Sequence, residues 1–518
     1  MLSKIKKLHH FQILLALCAI NLILKLFLWK FSNYTLNQDS IYWLENARCF
    51  RNFDLLNYDL GRPGWTYPLL IAFLSFVIRD LETCGILVSI LASTFLVIPV
   101  FYISLNVFNR SVAILASFLV TLYPYLNIFS IAIFSEATYL AMVMMSVWAG
   151  FHAWKSQKIR WVVLSGVLMG WVYLTRAEGI GFGVILGLWF LLCTLDKNEL
   201  AYKKWHLLVA YGLSFSSLVF LGVLFLHWKT GAWTLTTQIG NIALGLEDGE
   251  TIGRIKQDLK NIDTYFLDHY KVFFLKYISN VKKIFTFGLP EIFYFPLMLF
   301  AGMGLCHQSV WEKGRGKNLI FLILFTVPPI LLIPISHVIT RYLLVLVPLL
   351  LILVAAGIEE INRRAQANRI PLLKRKSILI VLLPPLLILS LSPTFRSYLK
   401  LLPIYPIEYK ETGHWIKQNT PETSVLFSQV ALLGHFSQRK MIVIRSSNST
   451  TMYETKTLDE ILLLVVNKEI PYYLIAQERW KSTTLHHLLK DDFHHPKLKR
   501  IYVNDKYPKA KVVIYKIL

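Results

Sequence analysis

The sequence predicts a polytopic α-helical membrane protein with a C-terminal α/β domain on the outer side of the membrane. Composition is the first observation: 55% of the 518 residues are hydrophobic, 16% are charged, and the mean hydropathy is +0.51. These values exclude an ordinary soluble protein and a disordered or fibrous one. The net charge of +23 in so apolar a chain indicates loops that lie against anionic membrane lipids, and no nucleic-acid partner is expected.

Long apolar runs are the second observation. A helix that crosses the bilayer needs about 20 mostly apolar residues. We predict about eleven such helices, at 11–29, 84–105, 111–127, 134–154, 161–175, 180–195, 206–227, 291–309, 319–335, 341–357 and 377–393. The first run is expected to stay as an anchor, because no small-residue cleavage site follows it.

The distribution of Lys and Arg predicts the orientation. If the N-terminus is cytoplasmic, the cytoplasmic segments contain many Lys and Arg residues, whereas the short turns on the other side contain only Arg176. This is the pattern of the positive-inside rule. We therefore expect a multi-pass protein of the plasma (inner) membrane, in which loop 30–83, loop 228–290 and the chain after 393 are extracytoplasmic.

The tail is the third observation, because its hydrophobicity falls and strand-like runs alternate with helical ones. Strands are predicted at Ser424–Phe427, Met441–Ile444, Pro471–Ile475 and Lys511–Ile517. Helices are predicted at Pro406–Gln418, Leu458–Val466 and Leu485–Leu489. We therefore divide the chain into a transmembrane domain, 1–393, and a soluble extracytoplasmic α/β domain, 394–518.

Loop 30–83 is too patterned for a simple connector. Apolar residues of 40–52 fall on one helical stripe, which predicts an amphipathic helix in the membrane interface. The Gly61-Arg62-Pro63-Gly64 segment is expected to break this helix. The apolar stretch 69–78 is too short to span and is expected to lie on or dip into the membrane surface.

Asp39 precedes that amphipathic helix and allows two interpretations. Asp39 or Ser40 is expected to be the N-cap, since both residue types are preferred there. Alternatively, Asp39 is a carboxylate at the membrane surface that lines a cavity and acts as a base.

Further charges are predicted where outer turns meet helices. Glu136 opens the fourth helix, Arg176 and Glu178 form the turn between the fifth and sixth, and Arg341 begins the tenth. Each has a local explanation: a helix-dipole partner, a hairpin ion pair, or a snorkelling arginine. Their common predicted depth favours a shared site instead, because carboxylates activate hydroxyls and arginines bind phosphate.

The ordered motifs resemble those of the GT-C glycosyltransferases, in particular the protein O-mannosyltransferases and the lipid A aminoarabinose transferase. The similar segments are Gln38-Asp39-Ser40, Tyr67-Pro68-Leu69-Leu70, Ser135-Glu136, Leu174-Thr175-Arg176-Ala177-Glu178-Gly179, Arg341-Tyr342-Leu343-Leu344 and Gly413-His414-Trp415-Ile416. Family members often have Asp-Glu where this chain has Asp39-Ser40, and Pro-Pro where it has Tyr67-Pro68. The Trp-Trp-Asp motif of related oligosaccharyltransferases is absent, which argues against transfer of a whole oligosaccharide to asparagine.

The resemblance implies an inverting transferase that takes a sugar from undecaprenyl or dolichyl phosphate. Asp39 would be the base for an acceptor hydroxyl, and Glu136 would orient acceptor or sugar hydroxyls. Arg176 and Arg341 would bind the phosphate with Tyr342 beside them. The remaining candidate substrate-binding residues are Arg62, Glu178 and His337. The acceptor could be a lipid, a glycan or a protein.

No cofactor is expected. An Asp-x-Asp motif in a plausible position, which would hold a divalent metal, is lacking. The His486-His487 and His494-His495 pairs could bind zinc, but a solvated His-rich turn is favoured because their spacing is irregular. Loop 228–290 is interpreted as an amphipathic cover on the membrane or as a mobile lid.

Two other functions share part of this pattern. A lipid or solute transporter would have a similar helix count, but it favours internal repeats and short loops on both sides. A lipid-linked glycan polymerase or ligase uses a related donor but usually concentrates its charges in one large late outer loop.

Overall fold

The computed structural model describes residues 2–31, 36–60, 64–195, 205–237, 270–293, 295–311, 315–335, 340–367, 407–444, 457–465, 469–478, 485–507 and 510–518. These residues form two compact units. The first contains the described residues of Met1–Ser32, Trp43–Gly245 and Phe266–Lys400. The second contains those of Asn33–Tyr42 and Leu401–Leu518.

The first unit is helical. The helices of its N-terminal half are α1 (Leu2–Phe31), α2 (Gln38–Arg51, whose first residues belong to the second unit), α3 (Thr66–Ser75), α4 (Leu81–Val107), α5 (Arg110–Leu122), α6 (Pro124–Ser130), α7 (Glu136–Ser156), α8 (Ile159–Thr175), α9 (Gly179–Leu195) and α10 (Trp205–Thr230). Those that follow are α11 (Tyr270–Lys283), α12 (Leu289–Ile292), α13 (Phe295–Leu305), α14 (Gln308–Trp311), α15 (Gly316–Leu332) and α16 (Val347–Ala367). A π-helix, Ile284–Gly288, precedes α12, and 3-10 segments occupy Leu55–Asn57, Ile333–Ile335 and Thr340–Leu346.

Helices occupy ten of the predicted apolar runs, and the eleventh, 377–393, lies outside the described residues. Within the described part of the chain, five helices are long and apolar enough to cross a membrane. The number rises to seven if each of two bent helix pairs counts as one span. The fold is therefore that of a helical membrane protein, and the total of eleven spans stays a prediction.

Small residues bring two of these helices together. A Cβ atom at Gly304 of α13 would overlap the carbonyl oxygen of Leu353, and one at Gly357 of α16 would overlap that of Phe300. Glycine at both positions therefore lets the two backbones touch, as is typical of helix pairs in lipid, where close van der Waals packing replaces the hydrophobic effect.

The predicted N-cap of helix α2, Asp39 or Ser40, is wrong. Helix α2 begins at Gln38, and the Asn37 side chain accepts hydrogen bonds from the Ser40 amide at 2.8 Å and from the Ser40 hydroxyl at 2.9 Å. Asn37 is therefore the cap, since a capping oxygen binds the third helical amide. The Asp39 carboxylate lies in the first helical turn and is half-buried.

The rest of loop 30–83 follows the prediction, but its elements have shifted bounds. Helix α2 buries an apolar stripe that includes Leu44 and Ala47 and exposes Arg48. It ends at Arg51, well before the predicted break at Gly61, because Asp54 and the 3-10 turn Leu55–Asn57 already redirect the chain. The apolar stretch forms α3 at Thr66–Ser75, and ten residues are too few to span a bilayer.

The second unit contains a five-stranded sheet. Its strands are β1 (Val425–Ser428), β2 (Lys440–Val443), β3 (Tyr472–Gln477), β4 (Leu498–Asn504) and β5 (Val512–Ile517), in the order β2-β1-β3-β5-β4. Strands β2, β1 and β3 are parallel, whereas β5 pairs antiparallel with β3 and β4 antiparallel with β5. Its helices are α17 (Ile407–Asn419), α18 (Ala431–Ser437) and α19 (Leu458–Leu463), and a 3-10 turn occupies His486–Leu489.

The four predicted strands are confirmed, and β4 was missed. β4 carries Lys499 and Arg500 within its first three residues and lies at the edge of the sheet, where half-exposed positions do not produce a clear apolar alternation. The core of this unit is built by Phe427, Leu474 and Val513 from three neighbouring strands.

Candidate active site

A cavity of about 390 Å³ lies within the first unit. Most of its wall is apolar and comes from α7, α9, the end of α15 and the 3-10 segments that follow α15. The apolar lining residues include Leu140, Ile180, Phe182, Ile185, Leu332, Ile333, Leu344 and Val345. The polar lining residues are Glu136, Tyr139, Arg176, Glu178, Thr236, Arg341 and Tyr342. The cavity can therefore accommodate an amphipathic molecule that combines an apolar chain with a charged head.

Glu136 is the centre of the charged group. It is the first residue of α7, only 4% exposed, and its Oε1 lies 3.0 Å from Arg176 Nη1 and 3.7 Å from Arg341 Nε. The helix dipole favours an anion at this position. Glu136 is therefore both an anion at the start of a helix and a member of a charged cluster with Arg176 and Arg341.

Arg176 is placed by the turn between α8 and α9. Its backbone amide donates to the Val172 carbonyl at 3.0 Å, and the Gly179 amide donates to the Arg176 carbonyl at 2.9 Å. A Cβ atom at Gly179 would lie 2.6 Å from a methyl group of Val172, so this tight turn requires glycine. The turn directs the Arg176 side chain, 15% exposed, toward Glu136.

Aromatic rings flank the two guanidinium groups. Arg176 lies 5.6 Å from the ring centre of Tyr139 and 5.1 Å from that of Tyr342, and Arg341 lies 5.8 Å from the same Tyr342 ring. These distances are within the range of cation–π attraction. Tyr342 thus contacts both cations, which helps to hold two like charges near one carboxylate.

Glu178 completes the group from the other side of Arg176. Its Oε1 lies 3.4 Å from Arg176 Nη2, and half of its side chain is exposed. The described cluster therefore contains two carboxylates and two guanidinium groups, whose formal charges cancel. Two arginines at one cavity wall can bind a phosphate through charge-assisted hydrogen bonds.

The structure brings together five of the predicted site residues: Glu136, Arg176, Glu178, Arg341 and Tyr342. Asp39 belongs to the second unit, and its role as a base stays a prediction. The predictions for Arg62 and His337 fall outside the described residues.

Two of the polar lining residues, Tyr139 and Thr236, were not predicted from the sequence. Tyr139 follows Glu136 by three positions on α7, and residues at this spacing share a helix face, so its position was a usable signal. Thr236 comes from the start of the 228–290 loop, where Tyr173 donates a hydrogen bond of 2.9 Å to the carbonyl of the adjacent Leu235. Leu235 and Thr236 line the cavity, whereas residues 238–269 of the same loop lie outside the described residues.

No group of three or more His, Cys, Asp and Glu side chains that could hold a metal ion is found among the described residues. The absence of a cofactor stays a prediction. His495 Nδ1 accepts a local hydrogen bond from the Lys497 amide at 3.2 Å, which agrees with the interpretation of the His-rich segment as a turn.

Comparison with known proteins supports the resemblance seen in the motifs. The sequence model of the family described as dolichyl-phosphate-mannose-protein mannosyltransferase matches residues 64–221, which include Glu136, Arg176 and Glu178. None of the curated proteins with which the sequence was compared matches it.

Solved structures extend the similarity over nearly the whole chain. ArnT from Cupriavidus metallidurans, bound to undecaprenyl phosphate, matches with a TM-score of 0.60 and 12% identity, over 96% of this chain and 97% of that one. The Archaeoglobus fulgidus oligosaccharyltransferase, tethered to an acceptor peptide, matches with a TM-score of 0.59 and 14% identity, over 92% of this chain and 70% of that one. The archaeal oligosaccharyltransferase AglB, also from Archaeoglobus fulgidus, in complex with an inhibitory peptide and a dolichol-phosphate matches with a TM-score of 0.53 and 12% identity, over 87% of this chain and 62% of that one.

The matched family and the matched structures are all GT-C glycosyltransferases, so the predicted resemblance is confirmed. At these identities the structures show a shared fold. The chain is thus a membrane-embedded protein with the GT-C fold.

Proposed function

We propose that this chain is an inverting glycosyltransferase that moves a sugar from a polyprenyl phosphate, either undecaprenyl or dolichyl phosphate, to an acceptor hydroxyl on the outer face of the membrane. The observation that carries the proposal is the pair Arg176 and Arg341, held by Glu136 at the wall of an apolar cavity. An isoprenoid chain would contact the apolar lining, and its phosphate would contact the arginines. ArnT bound to undecaprenyl phosphate and AglB bound to a dolichol-phosphate support this donor class.

In the proposed reaction, the acceptor oxygen attacks the anomeric carbon from the face opposite the phosphate. A new carbon–oxygen bond forms, the bond to the phosphate oxygen breaks, and that oxygen keeps the electron pair. The acceptor proton moves to the Asp39 carboxylate, and the configuration at carbon inverts. Because phosphate is a good leaving group, the guanidinium groups neutralise its charge and no general acid is required.

The geometry changes the role that we assign to Glu136. Its Oε1 contacts both arginines, so we propose that Glu136 mainly positions these cations rather than the acceptor or sugar hydroxyls. A buried carboxylate suits this purpose, because two guanidinium groups at such a site would otherwise repel each other.

The membrane topology is also part of the proposal. We infer eleven spans from the apolar runs, and the distribution of Lys and Arg supports a cytoplasmic N-terminus and an extracytoplasmic second unit in the plasma (inner) membrane. In this orientation, Glu136, Arg176 and Arg341 lie near the outer surface. A lipid-linked donor would then present its sugar toward acceptors outside the cell.

Incubation of the purified full-length protein with a polyprenyl-phosphate sugar, with and without an envelope extract as acceptor, tests this proposal. We expect acceptor-dependent release of free polyprenyl phosphate and labelling of the acceptor. Release of polyprenyl diphosphate would instead indicate a lipid-linked glycan polymerase or ligase. Movement of the intact donor from one leaflet to the other of a proteoliposome membrane, without cleavage, would indicate a transporter.

A further inference from the structure

Arg176 is shared by two carboxylates that differ in their surroundings. The side chain of Glu136 is 5% exposed and its Oε1 lies 3.0 Å from Nη1, whereas the side chain of Glu178 is 50% exposed and its Oε1 lies 3.4 Å from Nη2. The first pair has the geometry and burial of a permanent contact. The second is longer, is formed by the more exposed carboxylate and borders the cavity, so a ligand at the cavity wall displaces it more readily than the first.

We propose that Glu178 is a release carboxylate, which gives up Arg176 Nη2 to the donor phosphate and takes it back when the product leaves. This inference rests on the proposed function, because it assumes that a lipid phosphate binds at Arg176. The exchange breaks one carboxylate–guanidinium contact and forms one phosphate–guanidinium contact. Glu136 keeps Nη1 throughout, so the guanidinium group stays in place.

The charges of donor and product explain why such a residue is useful. The phosphodiester of the donor carries one negative charge, whereas the phosphate monoester of the product approaches two at neutral pH, since its second pKa is about 6. The arginines therefore attract the product more strongly than the donor. A nearby carboxylate weakens the binding of both by competing for the same N–H groups, and it repels the more highly charged product more strongly than the donor, which speeds product release.

The position of Glu178 in the turn fits this role. Arg176 and Glu178 belong to the same short turn between α8 and α9, so the carboxylate stays near Nη2 after it is displaced. Glu178 immediately precedes α9, and its own carbonyl accepts a hydrogen bond of 3.1 Å from the Gly181 amide in the first turn of that helix. Its side chain can move while the backbone that supports Arg176 stays fixed.

Glu178→Gln removes the competing charge and keeps the size of the side chain. We expect the dissociation constant of undecaprenyl phosphate, measured by intrinsic fluorescence of the full-length protein in detergent, to decrease about five-fold, equivalent to about 1 kcal/mol. Steady-state transfer should slow by a similar factor, whereas the single-turnover rate should fall much less, because only product release becomes slower. Glu178→Ala should also lower the dissociation constant and slow steady-state transfer, and it replaces Glu178→Gln in the test if that variant does not fold.

Glu45→Gln is the matched control, because Glu45 forms a comparable half-exposed ion pair with Arg48 on α2, outside the cavity lining. The affinity of Glu45→Gln for undecaprenyl phosphate should equal that of the wild type. If Glu45→Gln and Glu178→Gln gained affinity equally, the release role would be refuted and the effect would be one of overall charge. Unchanged or weaker binding by both Glu178 variants would overturn this inference but leave the lipid-phosphate site intact. No binding of undecaprenyl phosphate or dolichyl phosphate by the wild type would overturn the proposed function itself.

Discussion

Glu136 Oε1 and Arg176 Nη1 lie 3.0 Å apart, although forty positions separate the two residues in the sequence. The contact joins the first turn of α7 to the turn that follows α8. Since α7 and α8 form a helical hairpin, both ends of that hairpin meet at one wall of the cavity. The pair therefore links the fold of the membrane unit directly to the proposed phosphate site.

Asp39→Asn should abolish sugar transfer, because asparagine keeps the shape of the side chain but cannot accept the acceptor proton. A lost general base typically reduces the rate by a factor of about 10² to 10⁴. Release of polyprenyl phosphate is the readout, with expression and thermal unfolding as checks of folding. Asp54→Asn, an identical change after α2 that affects a contact with Asn57, should retain activity. Near-normal transfer by the Asp39 variant would remove Asp39 from the mechanism.

Glu136→Gln should destabilise the membrane unit, since it leaves Arg176 and Arg341 close together without their shared carboxylate. Loss of one partner of a buried ion pair costs about 3 to 5 kcal/mol. Thermal unfolding in detergent measures this loss. The double variant Glu136→Gln with Arg341→Met should recover part of the stability but no activity. Equal melting temperatures of wild type and Glu136→Gln would show that Glu136 does not hold the two arginines.

Gly304→Ala should disrupt the packing of α13 against α16, because the added methyl group meets the Leu353 carbonyl oxygen. Gly302 lies on the same helix, and a Cβ atom there has no neighbour within 4 Å. Gly302→Ala should therefore stabilise the protein slightly, by about 0.4 to 1 kcal/mol, by reducing the entropy of the unfolded chain. Comparison of the two variants by thermal unfolding separates helix packing from helix propensity, and equal effects would refute the close contact.

The second unit should lose stability in acid through Glu411. Burial alone would raise the pKa of Glu411, but hydrogen bonds from Tyr507 at 2.8 Å and Lys506 at 3.4 Å lower it below the ordinary value. A carboxylate with a depressed folded pKa contributes stability above its unfolded pKa, about 4.3, and this contribution disappears as the pH falls through the folded value.

Glu411→Gln should therefore weaken this unit at pH 7 and have a diminishing effect below about pH 4. The carboxylate is one-third exposed, so we expect a loss of a few tenths to about 1 kcal/mol. Hydrogen exchange of α17 in the full chain, corrected for the intrinsic effect of pH, measures it. Glu422→Gln, an exposed change just after the same helix, is the control and should have no such pH profile.

The sequence by itself determined the positions of ten apolar helices and four strands, and it named five candidate residues that the structure brings together at one cavity. Hydrophobic runs and alternation are local properties, so Leu81–Val107 and Val512–Ile517 could be predicted from their own residues. Charged residues in an apolar chain are costly, which is why Glu136, Arg176 and Arg341 were recognisable as candidates.

Tertiary structure decided which of these residues touch and through which atoms. Only the packed helices show that Glu136 contacts both arginines and that Tyr342 faces both guanidinium groups. They also show that Glu178 is the more exposed carboxylate partner of Arg176. Such contacts depend on helix rotation and on turn geometry over long sequence separations, and hydrophobic periodicity carries no information about either. The cap of α2 shows the same limit locally, since Asn37, Asp39 and Ser40 are all suitable caps and only the backbone geometry selects Asn37.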